Sequence, residues 1–568
     1  MLHFFDMEVF KKLWTCTIIN PVKKETTVIV NDAEKLKDYY EKYKNDIFVA
    51  YNGRRYDIYI FKAILCGFDP KEVNDYIIVK EQPGWKYSDL FRQIPLIVYD
   101  VMTSQHSLKQ LEGFMGIDIR ETTIPFDYEG EFTQEMIDEV VKYNLHDVES
   151  TILVFLKRKE EFDSMMSLIK TFNLPLSYIS KTKAQLSAII LDCVRTNRDD
   201  EWDIEILNVL DIKKYKEVLD WFKDRNNYDY SKSLEFNVAG ITHTFGWGGL
   251  HGAKEQYLNN GYIIHVDVAS FYPSIMIEYN LLTRNSQSPE KYKHTYTYRL
   301  KLKNEGKKKE QAPYKIVLNG TYGICKDKYS SAYDPRQANR ICVNGQLMLL
   351  DLIEHLESIK SFELIQSNTD GLIIKADEND FEEVKKVCNE WETRTKMGLG
   401  FDMIDEIWQG DVNNYIFRFK DSDKLERKGG YVKELNDLDN DLPIINKGIV
   451  DYLTKGISPE DTVNNCNDLI MFQNVVKVSS KYQYAMYGNE RLKEKCLRVF
   501  ASKNPTDKGV FKFKNETRKP EKIGGTPTRC FIDNGDVRNK KIPRKLDKQW
   551  YIDTIVTRLK EKFNVEVI

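Results

Sequence analysis

Acidic residues at short, regular spacings near the N-terminus could bind divalent metal ions. Asp6 and Glu8 lie two residues apart in an alternating segment, so on a β-strand both side chains project from one face. Tyr143 and Asp147 lie four residues apart in an amphipathic segment, so on a helix they share one face. Asp57 lies where a predicted strand meets a helix. Ligands that are all oxygen atoms favour Mg²⁺ or Mn²⁺ over zinc.

A second pair of carboxylates lies in the middle of the chain. The segment IIHVDVASFYPSIM places Asp267 at the end of an apolar strand, directly before a tight turn and a helix. Beside the backbone carbonyl of Val268, this aspartate offers oxygen ligands for a divalent metal ion. Further along the chain, the turn-forming SNTDG lies between two apolar segments, which predicts a hairpin with Asp370 in its turn.

Basic and polar residues follow one face of a predicted helix between these carboxylates. Lys315, Asn319 and Tyr322 fall at positions i, i+4 and i+7, so one helix face carries all three. Upstream, Arg299 and Lys303 are four residues apart on a second short helix, predicted to run antiparallel to the first. For Arg299 and Lys303, a solvated helix face is the alternative interpretation.

Changes in pattern divide the chain into several domains. Its 568 residues exceed what one hydrophobic core supports. Strands alternate with helices up to about residue 160, which predicts an α/β domain, and a separate polar, basic C-terminal module is predicted after about residue 450. No apolar run approaches the roughly 18 residues of a membrane span. Nine scattered cysteines without a C-x-x-C pair favour a reducing, cytosolic compartment.

The net charge of −3 hides strong local imbalances. Residues 1–150 carry 18 basic and 26 acidic residues, whereas residues 291–340 carry 13 and 4 and residues 481–568 carry 22 and 11. Two basic segments beside acidic clusters favour a protein that binds a phosphate backbone and performs metal-ion chemistry on it. A solvated charged surface is the alternative explanation for each segment alone.

The N-terminal pattern resembles the three exonuclease motifs of DEDDy-type 3′–5′ proofreading nucleases, as joined to family B DNA polymerases. The order is D-x-E on the first strand, N-x-x-x-Y-D at Asn52, and Y-x-x-x-D on a later helix. The resemblance implies two metal ions held by four carboxylates, those of Asp6, Glu8, Asp57 and Asp147. It also implies that Tyr143 orients the attacking water and that Asn52 contacts the frayed 3′ end.

The central segments resemble motifs A, B and C of the same polymerases. DVASFYPS matches D-x-x-S-L-Y-P-S, KIVLNGTYG matches K-x-x-x-N-S-x-Y-G, and SNTDG resembles Y-x-D-T-D-S. Asp267 and Asp370 are then the catalytic metal ligands, together with the Val268 carbonyl. Asn368 replaces the usual first aspartate of motif C, so the site has two carboxylates. The nucleotide-binding residues implied are Val268, Ser270, Phe271, Tyr272, Arg299, Lys315 and Asn319.

Individual roles follow from the same resemblance. Tyr272 would lie under the sugar of the incoming nucleotide and leave no room for a 2′-hydroxyl. Lys315 would contact the triphosphate and could protonate the pyrophosphate leaving group. FGWGGLHG resembles a template-binding YxGG-type motif, and residues 413–431 resemble the primer-binding K-x-Y region. The DNA-binding residues implied are Asn52, Gly248, Gly249, Tyr322, Gly323, Tyr415 and Lys428.

The resemblance implies an α/β and α+β multidomain protein in which a ribonuclease H-like exonuclease domain precedes palm, fingers and thumb. The expected boundaries are 1–165 for the exonuclease domain, 166–235 for a connector, 236–287 and 326–450 for the palm, 288–325 for the fingers and 451–568 for a basic thumb-like region. No domain is expected before the first motif. The short intervals between motifs leave no room for the insertions of protein-primed phage polymerases.

We therefore expect a compact, bacteriophage-type DNA polymerase with a proofreading exonuclease, acting as a monomer on an ordinary primer in the cytosol of a bacterial host. Its partners would be primer–template DNA and dNTPs, with no membrane, and its cofactors two Mg²⁺ ions per active site, replaceable by Mn²⁺. One alternative is a nuclease whose polymerase site Asn368 inactivates. A non-catalytic nucleic-acid-binding protein would require both carboxylate sets to be coincidental, and Tyr272 disfavours an RNA polymerase or reverse transcriptase.

Overall fold

The chain forms two compact units, each built from separate stretches of sequence. The computed structural model describes residues 1–102, 106–514 and 519–567. The first unit comprises residues 1–180, 435–448 and 459–554, and the second comprises residues 181–434, 449–458 and 555–568. Within the described part of the chain, none of the helices combines the length and apolar character needed to cross a membrane.

The N-terminal part of the first unit contains a five-stranded mixed sheet. In chain order its elements are β1 (Leu2–Val9), β2 (Trp14–Asn20), β3 (Glu25–Val30), α1 (Ala33–Tyr43), β4 (Ile47–Ala50), α2 (Asp57–Leu65), α3 (Pro70–Ile78), β5 (Val98–Asp100), α4 (Leu108–Phe114), α5 (Gln134–Lys157) and α6 (Lys159–Thr171). The strand order is β3-β2-β1-β4-β5, with β1 antiparallel to β2 and parallel to β4. The predicted α/β domain is confirmed, and the side chain of Thr133 caps α5 by accepting from the amide of Met136.

The alternation of β1 decides which side chains meet α5. Phe5 and Met7 enter the hydrophobic core that α1 and α2 cover. The opposite face carries Phe4, whose ring lies 5.2 Å from that of Phe155 in α5. Asp6 and Glu8 share the face of Phe4, because alternate residues of a strand project to the same side. The sheet therefore directs its two acidic residues towards α5.

The second unit is built on a nine-stranded antiparallel sheet. Its elements are α7 (Lys183–Ile190), α8 (Lys216–Lys223), β6 (Ser233–Val238), β7 (Ile241–Gly246), β8 (His251–Ala253), β9 (Tyr257–Val268), α9 (Phe271–Glu278), α10 (Pro289–Asn304), α11 (Lys308–Lys326), α12 (Pro335–Leu356), β10 (Glu363–Ser367), β11 (Gly371–Lys375), α13 (Phe381–Thr395), β12 (Leu399–Asp411), β13 (Asn414–Phe419) and β14 (Leu425–Lys428). The strand order is β14-β13-β12-β9-β11-β10-β8-β7-β6. The predicted helices and the predicted hairpin are both present.

The C-terminal elements form two small sheets. They are α14 (Pro443–Lys455), α15 (Pro459–Asn464), β15 (Asn474–Lys477), β16 (Tyr484–Tyr487), β17 (Glu490–Arg491), β18 (Cys496–Ala501), β19 (Val510–Phe513), β20 (Pro520–Lys522), β21 (Cys530–Ile532) and α16 (Lys548–Phe563). The strand orders are β15-β18-β21 and β17-β16-β19-β20. Residues 459–554 cluster with residues 1–180 in the first unit. Because the residues in contact are hundreds of positions apart, no local pattern indicates this association.

Candidate active sites

Three carboxylates converge between β1 and α5. One oxygen atom from each of Asp6, Glu8 and Asp147 lies within 4.8 Å of the others. Asn144, also on α5, donates a 2.7 Å hydrogen bond to Asp6 Oδ2. Asp6 and Glu8 come from alternate positions of β1, and the helix supplies Asp147 as its spacing predicts. The structure thus brings together three of the four predicted nuclease carboxylates as one possible metal-binding group.

The fourth carboxylate, Asp57, is buried at the start of α2. Its Oδ1 accepts a 3.2 Å hydrogen bond from the backbone amide of Met7 in β1. Burial raises its pKa to about 7, and the charge of Asp57 in turn raises the pKa of Asp6. Asp57 therefore belongs to the same electrostatic cluster, although it lies outside the group of three.

Burial dominates the electrostatics of this acidic cluster. Burial, followed by the charge of Asp57, raises the pKa of Asp6 well above its ordinary value, and burial with the charge of Asp147 does the same for Glu8. The pKa of Asp147 is raised to about 6, again mainly by burial. Buried carboxylates at such close range repel one another unless a cation compensates them. Four acidic groups with oxygen atoms only are a fitting donor set for Mg²⁺ or Mn²⁺.

A lysine that the sequence analysis missed lies within this cluster. The ammonium group of Lys109, on α4, contacts Asp147 and lies 3.2 Å from Glu112 Oε1. It also lies 4.6 Å from the ring centroid of Tyr143. The neighbouring carboxylates raise the pKa of Lys109 despite its burial, so it stays charged. No motif marks Lys109 in the sequence, because its partner Asp147 is 38 positions away.

Tyr143 is positioned beside the acidic cluster as its helix spacing predicts. Burial raises the pKa of its phenol, and the charges of Asp147, Glu8 and Asp6 raise it further. The phenol therefore keeps its proton at any physiological pH, so its hydroxyl is available to donate a hydrogen bond beside the carboxylates.

A second missed residue, Asp100, shapes the turn that precedes Asp57. One carboxylate oxygen accepts hydrogen bonds of 2.9 Å from the amides of Asn52 and Met102, and the other accepts a 3.0 Å bond from the amide of Arg54. Asn52 adopts a left-handed backbone conformation with φ of 62°, which asparagine tolerates better than most residues. Asn52 thus lies in a fixed turn between β4 and α2.

The second unit contains a cavity of about 380 Å³ that collects most of the centrally predicted residues. It is lined by Asp267, Val268, Ser270, Phe271, Tyr272, Pro273, Arg299, Lys315, Leu318, Asn319, Tyr322, Thr369 and Asp370. These residues come from the end of β9, from α9, from the helices α10 and α11, and from the turn between β10 and β11. The carboxylates therefore face the basic and polar side of α11 across one cavity.

The sheet register brings the two carboxylates of this cavity together. Asp267 on β9 pairs with Gly371 on β11, the residue after Asp370. Burial, followed by the charge of Asp370, raises the pKa of Asp267. Val268 ends the strand, and Ser270 rather than Asp267 occupies the N-cap position of α9. Asp267 is therefore available as a ligand and does not cap the helix.

Asn368 organises the turn that carries Asp370. Its side-chain oxygen accepts a 3.2 Å hydrogen bond from the amide of Asp370, and its own amide donates to the carbonyl of Gly371 at 3.0 Å. These two bonds close the hairpin turn. Asn368 is not among the residues that line the cavity, so within the described chain this site has the two carboxylates that the sequence predicts.

Tyr272 forms part of the cavity wall and has close neighbours on several sides. Its ring centroid lies 4.6 Å from that of Tyr322 and 5.9 Å from that of Phe271. Behind it, α12 contributes Gly345, where a Cβ atom would lie 3.2 Å from Cε1 of Tyr272. This packing fixes the tyrosine ring against the helix.

The two basic residues of α10 differ in their surroundings. Arg299 is buried and donates hydrogen bonds to Ser270 Oγ at 2.9 Å and to Gln311 Oε1 at 3.1 Å. Ser270 has a left-handed backbone with φ of 51°, so Arg299 fixes the strained turn after Asp267. Lys303 is exposed, and its charge offsets a small part of the rise in the pKa of Asp267 that burial and Asp370 cause.

The glycine-rich segment packs directly against the turn of Asp370. A Cβ atom at Gly249 would lie 2.3 Å from Oγ1 of Thr369, so only glycine fits there. Gln346, buried on α12, donates to the carbonyls of Gly246 at 2.7 Å and Gly248 at 2.9 Å. The loop that contains Gly248 and Gly249 is therefore held from both sides.

The remaining predicted DNA contacts lie outside this cavity. Tyr415 is buried on β13 and pairs with Lys428 on β14, whose Nζ lies 6.0 Å from the tyrosine ring centroid. Gly323 is exposed on α11 with open space above it. The structure thus supports Tyr415 and Lys428 as a pair, but neither belongs to the described lining of the cavity.

Comparison with known proteins identifies the N-terminal part of the chain. Residues 3–157 match the model of the RNase_H superfamily, so this part is an RNase H-like domain. A solved family B DNA polymerase from the hyperthermophilic archaeon Pyrobaculum calidifontis is similar to the whole chain at 14% sequence identity and a TM-score of 0.45. The match covers 100% of this chain and 78% of that polymerase. The curated proteins contain no match to this chain.

Proposed function

We propose that this protein is a family B DNA polymerase of the compact bacteriophage type, with a 3′–5′ proofreading exonuclease. The observation that carries the proposal is the cavity in which Asp267 and Asp370 face Lys315 and Asn319, with Tyr272 in its wall. The acidic cluster on the RNase H-like domain supports a second, separate nuclease site. One site lengthens a DNA strand and the other removes its last nucleotide.

Each site has residues suited to divalent ions. Asp267, Asp370 and the Val268 carbonyl would hold two Mg²⁺ ions in the cavity, and Asp6, Glu8, Asp57 and Asp147 would hold two in the acidic cluster. Such ions, which Mn²⁺ could replace, supply charge stabilisation for phosphoryl transfer when they are bound.

In the nuclease site, the protein's own groups position the scissile phosphate and the water. Tyr143 keeps its proton and orients the attacking water through its hydroxyl group. Lys109 provides a positive charge beside Asp147, where a transition state with extra negative charge benefits from it. Asn52, in its fixed turn, contacts the 3′ end of the strand.

In the polymerase site, the cavity selects and orients a dNTP. Lys315 binds the triphosphate and gives a proton to the departing pyrophosphate, while Asn319 shapes the pocket for the nascent base pair. The Tyr272 ring excludes a ribose 2′-hydroxyl, because its position is fixed by the packing behind it. Arg299 acts through Ser270, whose turn orients Asp267.

Primer–template DNA would be bound by residues around the two sites. The glycine-rich loop contacts the template, and Tyr415 with Lys428 contacts the primer. We assign palm, fingers and thumb with the boundaries predicted from the sequence, and we infer a monomer in the cytosol of a bacterial host. The full set of proposed DNA contacts is Asn52, Gly248, Gly249, Tyr322, Gly323, Tyr415 and Lys428.

A labelled primer annealed to a longer template tests both activities in one gel. With Mg²⁺ and dNTPs we expect extension, and without dNTPs we expect shortening from the 3′ end. A variant with Asp6→Ala and Glu8→Ala should extend but not shorten the primer. The matched control is Asp38→Ala, which removes an exposed carboxylate on α1 and should leave both activities intact. Absence of extension by the unmodified protein would overturn the proposal.

The second candidate is a nuclease with an inactive polymerase site, which the neutral side chain of Asn368 favours. Asn368→Asp distinguishes the two. Because aspartate can still accept the hydrogen bond from the Asp370 amide, the turn should survive the change. If the polymerase is active, we expect this variant to reach half-maximal extension at a lower Mg²⁺ concentration. If extension appears only in the variant, the nuclease alternative is correct.

A further inference from the structure

A buried arginine of the C-terminal sheet reaches the helix that carries Lys109. Arg498 on β18 is fully buried, and it donates hydrogen bonds to the carbonyls of Ile117 at 2.6 Å, Gly113 at 3.2 Å and Glu112 at 3.4 Å. Glu112 and Gly113 belong to the last turn of α4, and their carbonyls also accept hydrogen bonds from the amides of Ile117 at 3.2 Å and Gly116 at 3.0 Å, just after the helix. A cation at this helix end also interacts favourably with the helix dipole.

The hydrogen-bond acceptors of Arg498 are backbone carbonyls and one side-chain amide oxygen. Besides α4, the guanidinium donates to the carbonyls of Asp533 and Gly535 and to the side-chain oxygen of Gln473. In the part of the chain that the structure describes, none of its hydrogen-bond acceptors is a carboxylate. Burial lowers the pKa of Arg498 to about 10, and the charges of nearby carboxylates such as that of Asp533 partly offset this cost of burial. Here the charge holds backbone segments in place.

A continuous set of contacts joins Arg498 to the nuclease carboxylates. The backbone carbonyl of Glu112 accepts from Arg498, while its side chain lies 3.2 Å from the Lys109 ammonium group. The same ammonium group contacts Asp147. One turn of α4 thus separates the residue held by the C-terminal sheet from the residue that reaches the acidic cluster.

Further contacts join the same stretch of chain to the C-terminal sheets. A Cβ atom at Gly113 would lie 2.6 Å from Cγ1 of Val475 on β15, so the helix and the strand are in close contact. The amide of Ile119 donates to the carbonyl of Asn534 at 2.7 Å, and the amide of Asp536 donates to Oδ1 of Asp118 at 2.8 Å. The C-terminal sheets are therefore the support on which α4 rests.

We infer that residues 459–554 complete the nuclease site, and that Arg498 is a positioning residue which holds α4 where Lys109 meets Asp147. The inference rests on the proposed nuclease function, and it assigns a role to a region that the sequence suggests only as a thumb. An arginine that merely stabilised the fold would support both activities equally. A positioning arginine affects shortening of DNA and leaves its extension in place.

The test measures kcat and KM for 3′ shortening of a single-stranded oligonucleotide by Arg498→Gln in the full chain. We expect kcat to fall roughly tenfold to a hundredfold, as small misplacements of active-site groups do, with KM little changed. When Lys109→Met is already present, adding Arg498→Gln should lower kcat by less than about a further twofold, because the effects of residues that act through one contact are not additive. If the falls in kcat of the two single variants multiply in the double variant, the inference is overturned.

Primer extension by the same variants reports whether the chain is folded. Amide hydrogen exchange over residues 108–114 supplies a readout that needs no turnover, and we expect faster exchange in Arg498→Gln than in the unmodified protein. If the unmodified protein shortens no DNA, the proposed function fails. If the unmodified protein shortens DNA, and Arg498→Gln shows the same amide exchange and the same rate of shortening, only the inference fails.

Gly113→Ala tests the same support without removing a buried charge. The added methyl group would press against Val475 and displace α4, so we expect a loss of kcat for shortening similar to that of Arg498→Gln. Val475→Ala makes room for this methyl group, and the double variant should return to within about twofold of the unmodified protein. Failure of Val475→Ala to rescue Gly113→Ala would contradict the inference, even if Arg498→Gln does not fold.

Discussion

The backbone amide of Val268 donates a 2.7 Å hydrogen bond to the carbonyl oxygen of Asp370. This bond joins the end of β9 to the turn between β10 and β11, so the residue after one aspartate is tied to the other aspartate. Since both aspartates line one cavity, this bond fixes the backbones that carry their carboxylates relative to each other. The two ligands proposed for the polymerase site are in this sense preorganised.

Removal of one of these carboxylates should separate the two activities. We expect Asp370→Ala to lower the rate of primer extension by about a thousandfold, the size of loss seen when a preorganised charge is deleted from an active site. Shortening of the primer should continue, because the acidic cluster belongs to the other unit. Gel analysis with and without dNTPs measures both. Asp377→Ala, an exposed carboxylate after the same hairpin, is the control, and persistent extension by Asp370→Ala would refute the assignment.

The glycine behind Tyr272 should influence the choice of sugar. In Gly345→Ala the new methyl group would lie 3.2 Å from the tyrosine ring, tighter than an ordinary contact, and would push the ring into the cavity. We expect kcat/KM for dNTPs to fall and ribonucleotides to be excluded at least as well as before. Tyr272→Ala should do the opposite and admit ribonucleotides. Single-nucleotide insertion kinetics measure the ratio, and equal ratios in all variants would remove Tyr272 from sugar selection.

Lys109 should matter for the nuclease and not for the polymerase. Lys109→Met keeps the length of the side chain but leaves Asp147 without its cation, so we expect shortening to slow by about ten- to a hundredfold, the cost of removing one electrostatic contact in an active site. Extension should be unchanged. Lys142→Met, an exposed lysine on α5, is the matched control. Equal nuclease rates for Lys109→Met and Lys142→Met would show that Lys109 has no catalytic role.

Neutralising one buried carboxylate should stabilise the metal-free protein at alkaline pH. The pKa of Asp57 is about 7 in the folded protein, against ~3.9 for an unfolded chain. The stabilising contribution of its proton is complete below about pH 4 and is lost as the pH rises through about 7. In EDTA we therefore expect Asp57→Asn to raise Tm more at pH 8 than at pH 5, since asparagine still accepts the Met7 hydrogen bond.

Calorimetry at the two pH values checks this prediction. One kcal/mol corresponds to about 2–4 °C in a domain of this size, so a gain of several degrees is measurable. Asp38→Asn removes an exposed carboxylate and should change Tm by the same small amount at both pH values. A Tm gain for Asp57→Asn that is independent of pH would mean that Asp57 carries its charge without penalty.

The local parts of both sites are predictable from the sequence, and the long-range parts are not. Alternation on β1 and the four-residue spacing on α5 are enough to place Asp6, Glu8 and Asp147 on facing surfaces. Lys109 and Asp100 escape prediction, because each acts through contacts with residues about 40 to 50 positions away and carries no motif of its own.

The C-terminal region shows the same limit on a larger scale. The surface on which its strands rest is set by contacts such as that between Arg498 and Ile117, 381 positions apart. The sequence likewise gives no indication that position 113 requires glycine. Only its distance to Val475 explains why a side chain does not fit.

The discontinuity of the first unit has a consequence for biosynthesis. Ribosomes deliver the chain from the N-terminus at about 5–20 residues per second. Residues 1–180 therefore emerge from the ribosome well before residues 459–554. For a period on the order of 20 s or more, α4 has no contact with Arg498 or Val475 because they have not yet been synthesised. A nascent chain interrupted in that interval holds the RNase H-like sheet but lacks the partner surface of α4, which leaves apolar groups exposed to chaperones and proteases.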